Sequence, residues 1–341
     1  MGQIRFGMIG CGVIGNIHAY VMEQLDEVKL VAVADVNEQS TAQMQRKYGC
    51  DTYTDYHDML KRDDIDIVTV CLPTGLHYQA VTDAAKAGKH VIVEKPIDIS
   101  LERAESMIET CDKYGVKFSV IFQHRFDQVV RLLKNAAEDG TLGSIHFGTS
   151  RTIWYRDMEY FKAAGWRGTW TYDGGGALMN QSIHYIDLLQ YIMGPVEAVS
   201  GLYDKRYHKI IEAEDVGVAI LRFKNGSIGT IEGTTLAYPG LNTELNIFGQ
   251  NGTVCIKNDN LDFYKFKAGE VPEFETLLNF GDQKLMYENY NCIPHKRQYE
   301  DVIHSVKNDR QPLVSGREAK KALEIIKAIY RSSECKEWVV L

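Results

Sequence analysis

The fold is decided by residues 4–15, IRFGMIGCGVIG, where a short apolar strand runs into the pattern G-x-G-x-x-G. A helix pattern and then a second strand pattern follow, which is the context in which this motif indicates dinucleotide binding. The first glycine allows a tight turn, the second admits a pyrophosphate, and the third lets the helix pack on the strand. A turn with a purely structural role is the alternative, which this context disfavours. The residues predicted to bind the cofactor at the helix N-terminus are Gly10, Gly12, Val13, Ile14 and Gly15.

The second strand ends at Asp35, 20 residues after the last glycine of the motif. A carboxylate at this place accepts hydrogen bonds from the hydroxyls of an adenosine ribose. Because a carboxylate repels a 2′-phosphate, Asp35 favours NAD over NADP as the cofactor. The alternative is a solvated carboxylate at the end of a strand.

Strand and helix patterns alternate along the first 120 residues. The strand patterns are short and continuously apolar, which predicts a parallel sheet covered by helices on both faces. They are Ile4–Ile9, Val28–Ala34, Ile65–Leu72, His90–Val93 and Lys117–Ile121. The helix patterns are Ile14–Gln24, Ser40–Tyr48, Leu76–Ala87 and Leu101–Tyr114. We therefore expect an α/β protein with an N-terminal Rossmann-type domain over residues 1–124.

After about Arg125 the pattern changes to longer strands in which apolar and polar residues alternate. Asn225-Gly226, between two of these strands, is a strong hairpin signal. The predicted strands are Ile145–Ile153, Glu197–Tyr203, Asp215–Phe223, Ser227–Thr235 and Thr243–Gly249, with helices at Asn180–Met193 and Glu318–Arg331. This pattern predicts a second, α+β domain over residues 125–341, built on a large and mostly antiparallel open sheet.

Composition and charge exclude several classes of protein. Lys and Arg number 38 against 46 Asp and Glu, and the net charge of −8 argues against a nucleic-acid partner. No apolar run is long enough to span a membrane, and the first residues lead straight into a strand without a signal-peptide layout. The seven cysteines are scattered singly, without a C-x-x-C pair. We therefore expect no metal site, no disulfide framework and a cytoplasmic location.

Two polar clusters follow strands of the first domain, at the sheet edge where doubly wound folds bind ligands. Thr74 and His77 come after the third strand and are predicted to contact the cofactor. A helix N-cap at Thr74 is an alternative that does not exclude this contact. Glu94-Lys95-Pro96 ends the fourth strand, where an ammonium could hydrogen-bond a hydroxyl undergoing oxidation. A surface lysine is the alternative for Lys95.

A triple glycine, Gly174-Gly175-Gly176, leads into the predicted helix of the second domain. Asn180 and His184 are four residues apart and so share one helical face. His184 is the residue of this stretch that can act as a base near neutral pH. Asp187 is predicted either to orient the imidazole or to accept a hydrogen bond in the core. The alternative for His184 is a structural histidine.

The glycine motif, Glu94-Lys95-Pro96, and the triple glycine with His184 downstream together resemble the Gfo/Idh/MocA family of sugar and inositol oxidoreductases. The resemblance covers nearly the whole chain and implies a Rossmann domain, a large open sheet, NAD, and a homodimer or homotetramer. Many members have Asp in place of Asn180, and since an amide cannot act as a base, proton transfer falls to His184 or Lys95. A narrower resemblance, in residues 166–170, 176–181, 184–189 and 211–215, is to the branch that oxidises UDP-N-acetylglucosaminuronate at carbon 3. Asparagine is normal in that branch.

The resemblance implies a nucleotide-sugar substrate, a UDP-N-acetylhexosamine or its uronate, whose ring hydroxyl is oxidised while a hydride passes to NAD. The implied catalytic residues are Lys95, His184 and Asn180. Glu94, Lys95, Trp166 and Arg167 join the cofactor set, and Arg125, Asn180, Gln181, His184 and His295 form the substrate set. For His295, a solvated start of a helix is the favoured alternative, and Arg125, Arg156, Arg167 and Arg297 are candidates for binding a uronate carboxylate. One alternative function is that of an inositol, free-sugar or sugar-phosphate dehydrogenase. Another is a non-catalytic NAD(H)-binding regulator, and the presence of Lys95 and His184 argues against this second alternative.

Overall fold

The computed structural model describes residues 3–341, so Met1 and Gly2, where the first predicted domain begins, lie outside the described residues. The chain forms two compact units. The first unit comprises the chain up to Gln123 together with Lys284–Lys320, and the second comprises His124–Gln283 with Lys321–Leu341. The division differs from the predicted one because Lys284–Lys320, expected in the second domain, packs with the first unit. Across residues 3–341, no helix is long and apolar enough to cross a membrane.

The first unit is built on a parallel six-stranded sheet in the order β3-β2-β1-β4-β5-β6. Its strands are β1 Ile4–Ile9, β2 Val28–Ala34, β3 Asp51–Tyr53, β4 Ile67–Val70, β5 His90–Val93 and β6 Phe118–Val120. Its first five helices are α1 Val13–Glu23, α2 Glu38–Tyr48, α3 Tyr56–Leu60, α4 His77–Lys86 and α5 Leu101–Lys113. The central strands are apolar on both faces and fully buried, as a sheet covered by helices on both sides requires. The strand order is that of the Rossmann fold, which confirms the prediction.

The second unit is built on an eight-stranded mixed sheet. Seven of its strands are β7 Ile145–Ile153, β8 Val196–Asp204, β9 Val216–Phe223, β10 Ile228–Thr234, β11 Thr243–Gly249, β12 Gly252–Lys257 and β13 Asn260–Phe266. Its helices are α6 Gln128–Glu138, α7 Met158–Lys162, α8 Ile183–Met193 and α9 Pro272–Phe280. Strands β7 and β10 are parallel, and the other described pairs are antiparallel. The predicted large, mostly antiparallel sheet is confirmed.

After α9 the chain returns to the first unit. A short hairpin, β14 Met286–Tyr287 and β15 Tyr290–Asn291, leads into α10, Ile293–Lys307. Helix α11, Gly316–Cys335, begins in the first unit and continues in the second, where β16, Val339–Val340, pairs with β8 at the edge of the sheet. The complete order of this sheet is β13-β12-β11-β7-β10-β9-β8-β16.

Candidate active site

The turn between β1 and α1 needs its first and third glycines for steric reasons. Gly10 has a φ of +97°, and a Cβ there would lie 2.5 Å from the carbonyl oxygen of Cys71. A Cβ on Gly15 would lie 2.3 Å from the carbonyl oxygen of Gly10. At Gly12, the N-cap of α1, a Cβ would meet no atom within 4 Å. The turn therefore leaves open space at the N-terminus of α1, which fits a dinucleotide pyrophosphate.

Asp35, predicted to bind a ribose, also holds this turn in place. Its Oδ2 accepts a hydrogen bond from the backbone N of Cys11 at 2.7 Å, and its Oδ1 accepts one from the backbone N of Asn37 at 2.8 Å. Each carboxylate oxygen can accept a second hydrogen bond, so ribose hydroxyls can still donate to it. The adenosine contact itself stays a prediction.

His77 ties two loops together, and the structure corrects its predicted role. The ring is completely buried, with Nδ1 3.0 Å from the carbonyl oxygen of Pro96 and Nε2 2.8 Å from that of Leu72. Because both ring nitrogens contact backbone carbonyls, His77 cannot offer a hydrogen bond to a cofactor. Thr74 is buried in a short 3₁₀ turn and does not cap α4, whose N-cap is Leu76; its cofactor contact stays a prediction.

Glu94 lies at the centre of a buried hydrogen-bond network behind Lys95. Its Oε1 is 2.7 Å from Nε2 of His18, and its Oε2 accepts from the backbone N of Lys95 at 3.1 Å. Nδ1 of His18 is 2.9 Å from the hydroxyl of Tyr299, which is 3.1 Å from the hydroxyl of Thr69. Burial alone would raise the pKa of Glu94, but the His18 hydrogen bond and nearby positive charge lower it to about 2. Glu94 thus supports Lys95. Because each of its carboxylate oxygens can accept a second hydrogen bond, its contact with the cofactor stays a prediction.

His295 is part of the same buried region, which corrects its prediction as a solvated or substrate-binding residue. It lies within α10, is 1% exposed, and its ring centroid is 5.4 Å from that of His18. Tyr299 follows one turn later on the same helix, so both side chains share a face that packs into the first unit. The start of a helix expected at His295 is correct, but the charged residues around it concealed that this helix face is buried. The helical spacing of Tyr299, Val302 and Ile303 is the signal that could have revealed it.

In the second unit, Glu214 anchors the triple glycine. Its Oε2 accepts from the backbone N of Gly176 and its Oε1 from that of Leu178, both at 2.8 Å, while the hydroxyl of Tyr330 donates to Oε1 at 2.9 Å. A Cβ on Gly176 would lie 1.8 Å from the carbonyl oxygen of Glu214, so only glycine fits there. Burial raises the pKa of Glu214 to about 7 despite these three hydrogen bonds. Sequence reasoning assigned this carboxylate no role.

The glycines lead into a π-helical turn, Ala177–Ser182, before the regular helix α8 begins. Such turns occur frequently at functional sites. Within it, Nδ2 of Asn180 donates to Oδ1 of Asp173 at 2.6 Å, which orients the amide. Nε2 of Gln181 donates to the hydroxyl of Tyr160 at 3.1 Å. Asn180 therefore lies in the π-helical turn and His184 in α8, so the helix type changes between these two residues.

Arg125 is buried and ion-paired, which corrects its prediction as a substrate ligand. Its Nε and Nη2 donate to the two carboxylate oxygens of Asp187 at 2.7 and 2.6 Å, and its guanidinium lies 4.3 Å from the ring centroid of Tyr191. Both charged side chains are 0% exposed. Each neutralises the other where water is excluded, so Arg125 serves the interior of the second unit. Asp187 accordingly binds Arg125 and does not orient His184.

His184 has an aromatic neighbour that the sequence did not indicate. The ring of His124 lies edge-on to it, with 5.1 Å between centroids. Nδ1 of His124 is 2.7 Å from Oδ2 of Asp127, and burial raises the pKa of Asp127 to about 6.

Two groups of side chains have a spacing that could hold a metal ion. His124, Asp127 and Asp259 place three ligand atoms within 4.8 Å of one another, as do His18, Glu94 and His295 in the first unit. We predicted no metal, and hydrogen bonds within each group already engage several of these atoms.

Trp166 and Arg167, predicted to bind the cofactor, lie half-buried in the second unit. Nη1 of Arg167 donates to the carbonyl oxygen of Tyr160 at 2.9 Å, and its guanidinium stacks on the Tyr160 ring at 4.2 Å. The Trp166 ring is 5.8 Å from the same guanidinium. Their contact with a cofactor stays a prediction.

Comparison with known proteins identifies the family of both units. Residues 4–122 match the Gfo/Idh/MocA oxidoreductase family with an NAD-binding Rossmann fold, and residues 130–255 match the C-terminal domain of that family. The chain is 32% identical to a myo-inositol 2-dehydrogenase from Thermotoga maritima, over 99% of this chain and 98% of the relative.

Two solved structures are similar over the whole chain. The WlbA dehydrogenase from Bordetella pertussis, in complex with NADH and UDP-GlcNAcA, is 35% identical with a TM-score of 0.92, covering 100% of this chain and 98% of that one. The WlbA dehydrogenase from Chromobacterium violaceum, in complex with the same two molecules, is 32% identical with a TM-score of 0.91, covering 100% and 96%. The chain therefore belongs to the Gfo/Idh/MocA family and is an NAD-dependent oxidoreductase.

Proposed function

We propose that this protein oxidises a ring hydroxyl, at carbon 3, of a UDP-N-acetylhexosamine or its uronate. The proposal rests chiefly on the full-length similarity to two dehydrogenases whose structures hold NADH and UDP-GlcNAcA. NAD, when bound, accepts the hydride from the carbon that becomes the ketone. The remaining proton of the hydroxyl must go to a group of the protein, which calls for a base near neutral pH.

The residues of this chain divide that task in the following way. His184 removes the hydroxyl proton, because an imidazole is suited to this at neutral pH. Lys95 donates a hydrogen bond to the same oxygen and is held in place by the Glu94 network. Asn180, oriented by Asp173, positions the sugar. Positioning and stabilisation of charge near the forming ketone would supply most of the acceleration.

The experiment is a substrate panel at matched concentrations, read as NADH formed in the first turnover and in the steady state. It compares UDP-N-acetylglucosamine, its uronate, free N-acetylglucosamine and myo-inositol. A UDP group supplies binding energy remote from the reacting carbon, so we expect both UDP-sugars to react far faster than the free sugar. The similarity to the myo-inositol dehydrogenase supports a second candidate function. Efficient oxidation of inositol without any response to a UDP-sugar would favour that candidate and contradict our proposal.

We also propose a homo-oligomer that associates through the outer face of the eight-stranded sheet. Leu202, Val218, Ile220 and Ile228 are each 45% or more exposed on neighbouring strands. Leu202 and Val218 are directly opposite each other across β8 and β9. A contiguous exposed apolar patch is typical of an association surface. Ile220→Lys should lower the mass measured by light scattering without changing the fold, and an unchanged mass would place the interface elsewhere.

A further inference from the structure

The oxidation of a hydroxyl releases one proton for every hydride that NAD accepts. The proposed base, His184, takes this proton from the sugar and must pass it on before it can act again. His184 lies at the start of α8 and is only partly exposed. A neighbouring group that takes up a proton and reaches the solvent would therefore serve every turnover.

His124 is suited to receive this proton. Its ring lies edge-on to that of His184, with 5.1 Å between the centroids and 87° between the ring planes. At this separation a proton can pass between the two rings directly or through one water. An imidazole takes up a proton at one nitrogen and releases another from the second near neutral pH, which makes it an effective relay.

Two carboxylates of the same unit face Nδ1 of His124. Oδ2 of Asp127 is 2.7 Å away, and Oδ1 of Asp259 is 3.4 Å away. The exposed fraction of the side chain rises from 8% at Asp127 to 19% at His124 and 44% at Asp259. Asp259 therefore connects His124 with the solvent. We call His124, Asp127 and Asp259 the histidine–aspartate cluster.

The charges around this cluster allow it to hold a proton briefly. Burial, together with the carboxylates of Asp259 and Asp282, raises the pKa of Asp127 to about 6, although His124 opposes the rise. The hydroxyl of Tyr185, from α8, donates to Oδ1 of Asp259 at 2.9 Å and orients that carboxylate. A group that titrates near the working pH accepts a proton and gives it up again at little cost in free energy.

We propose that the histidine–aspartate cluster carries the proton from His184 to the solvent after each hydride transfer. The proton moves from the sugar hydroxyl to His184, then to His124, and leaves at Asp259. One C–H bond and one O–H bond break and a C=O bond forms, while the hydride with its two electrons passes to NAD. The inference rests on the role of His184 in the proposed function, but it does not depend on which sugar is oxidised.

The test follows NADH and released protons together in a single turnover. NAD-loaded enzyme is mixed with UDP-N-acetylglucosaminuronate in weakly buffered solution, where absorbance reports NADH and phenol red reports protons. His124→Asn is the main variant, because an amide still donates to Asp127 but cannot relay a proton. In the wild type we expect proton release to keep pace with NADH formation. In His124→Asn, NADH formation should slow by no more than about threefold, whereas proton release should slow by about 100-fold, the lower end for a positioned proton-transfer group.

A rescue and two further variants separate a proton path from a structural role. Added imidazole should restore proton release in His124→Asn, because it can take the proton from His184 directly. Asp259→Asn keeps the size of the side chain and should cause a smaller delay in proton release. His57→Asn is the matched control, because Nδ1 of His57 is also 2.6 Å from a carboxylate, that of Asp55, but at an exposed place in the first unit.

Three results would overturn the inference. Proton release in step with NADH formation in His124→Asn would show that His184 loses its proton unaided. Equal losses of both signals that imidazole does not restore would assign His124 a structural role. Activity that a chelator abolishes and zinc restores would assign the cluster to a metal ion.

The same measurement distinguishes failure of the inference from failure of the proposed function. A wild type that forms no NADH from UDP-N-acetylglucosaminuronate contradicts the proposed function, and the paired signals measured with myo-inositol then decide the inference. Delayed proton release in His124→Asn with that substrate would support the cluster as the proton path. Formation of no NADH from either substrate would contradict both.

Discussion

Replacing Glu94 by glutamine removes the charge at the centre of the buried network behind Lys95. A carboxylate accepts from both His18 and the backbone N of Lys95, whereas an amide must turn its NH2 group towards one of them. We expect the Lys95 segment to shift and kcat to fall about 10- to 100-fold, because misplacing a catalytic group by about 1 Å costs up to about a hundredfold. Affinity for NAD should change little, since the glycine turn and Asp35 make no hydrogen bond to Glu94.

The pKa of Glu94 gives the expected loss of stability. It is lowered from 4.5 to about 2 in the folded protein. A difference of this size corresponds to about 3 kcal/mol of unfolding free energy. Because the folded pKa lies below the unfolded one, this stabilisation is complete above pH 4.5 and is lost as the pH falls towards 2. Glu94→Gln lacks it at every pH.

Urea unfolding measured at several pH values tests this reasoning. The unfolding free energy of the wild type should exceed that of Glu94→Gln by about 3 kcal/mol at neutral pH, and by about half of that near pH 3. Glu38→Gln is the control, since Glu38 is an exposed carboxylate in the first turn of α2. The role given to this network would be refuted if the difference in unfolding free energy did not decrease on acidification. It would also be refuted if Glu94→Gln had the kcat of the wild type.

Three further predictions follow from the site. Lys95→Ala and His184→Ala should each lower kcat by about two to four orders of magnitude while NAD affinity is kept, and wild-type turnover in either would remove that residue from the mechanism. Asp35→Ser should weaken NAD binding by about 1.5–3 kcal/mol and reduce the preference over NADP; titration with both cofactors checks this, and equal affinity in the wild type would contradict it. Asp187→Asn leaves the guanidinium of Arg125 buried without its carboxylate, so the unfolding free energy should fall by about 3–5 kcal/mol in denaturant titrations. A loss below about 1 kcal/mol would show that the pair contributes little.

Local constraints made the first unit predictable. The glycine turn is dictated by contacts within a few residues and with the next strand, as the close approaches at Gly10 and Gly15 show. The parallel strands were recognisable because they are apolar on both faces. The strand order then follows from the regular alternation of strands and helices.

Errors in the predicted site arose where a partner lies far away in the sequence. His295 is carried by α10 into the first unit, and Arg125 meets Asp187, 62 residues later. His77 looks like a ligand from its place at the sheet edge, yet backbone carbonyls engage both of its ring nitrogens. Pattern and spacing identify which residue types are present. They do not show which polar groups are already satisfied by the fold, and this decides which remain for a ligand.

Transfer of deuterium from carbon 3 of the sugar tests the central claim most directly. The measurement uses UDP-N-acetylglucosaminuronate and UDP-N-acetylglucosamine labelled with deuterium at carbon 3, and reads the mass of the NADH formed in a single turnover. Our account predicts deuterated NADH and a slower first turnover than with unlabelled sugar, because that C–H bond breaks in the hydride transfer. Formation of unlabelled NADH would show that the hydride comes from a carbon other than carbon 3. Formation of no NADH from either UDP-sugar would contradict the proposed reaction.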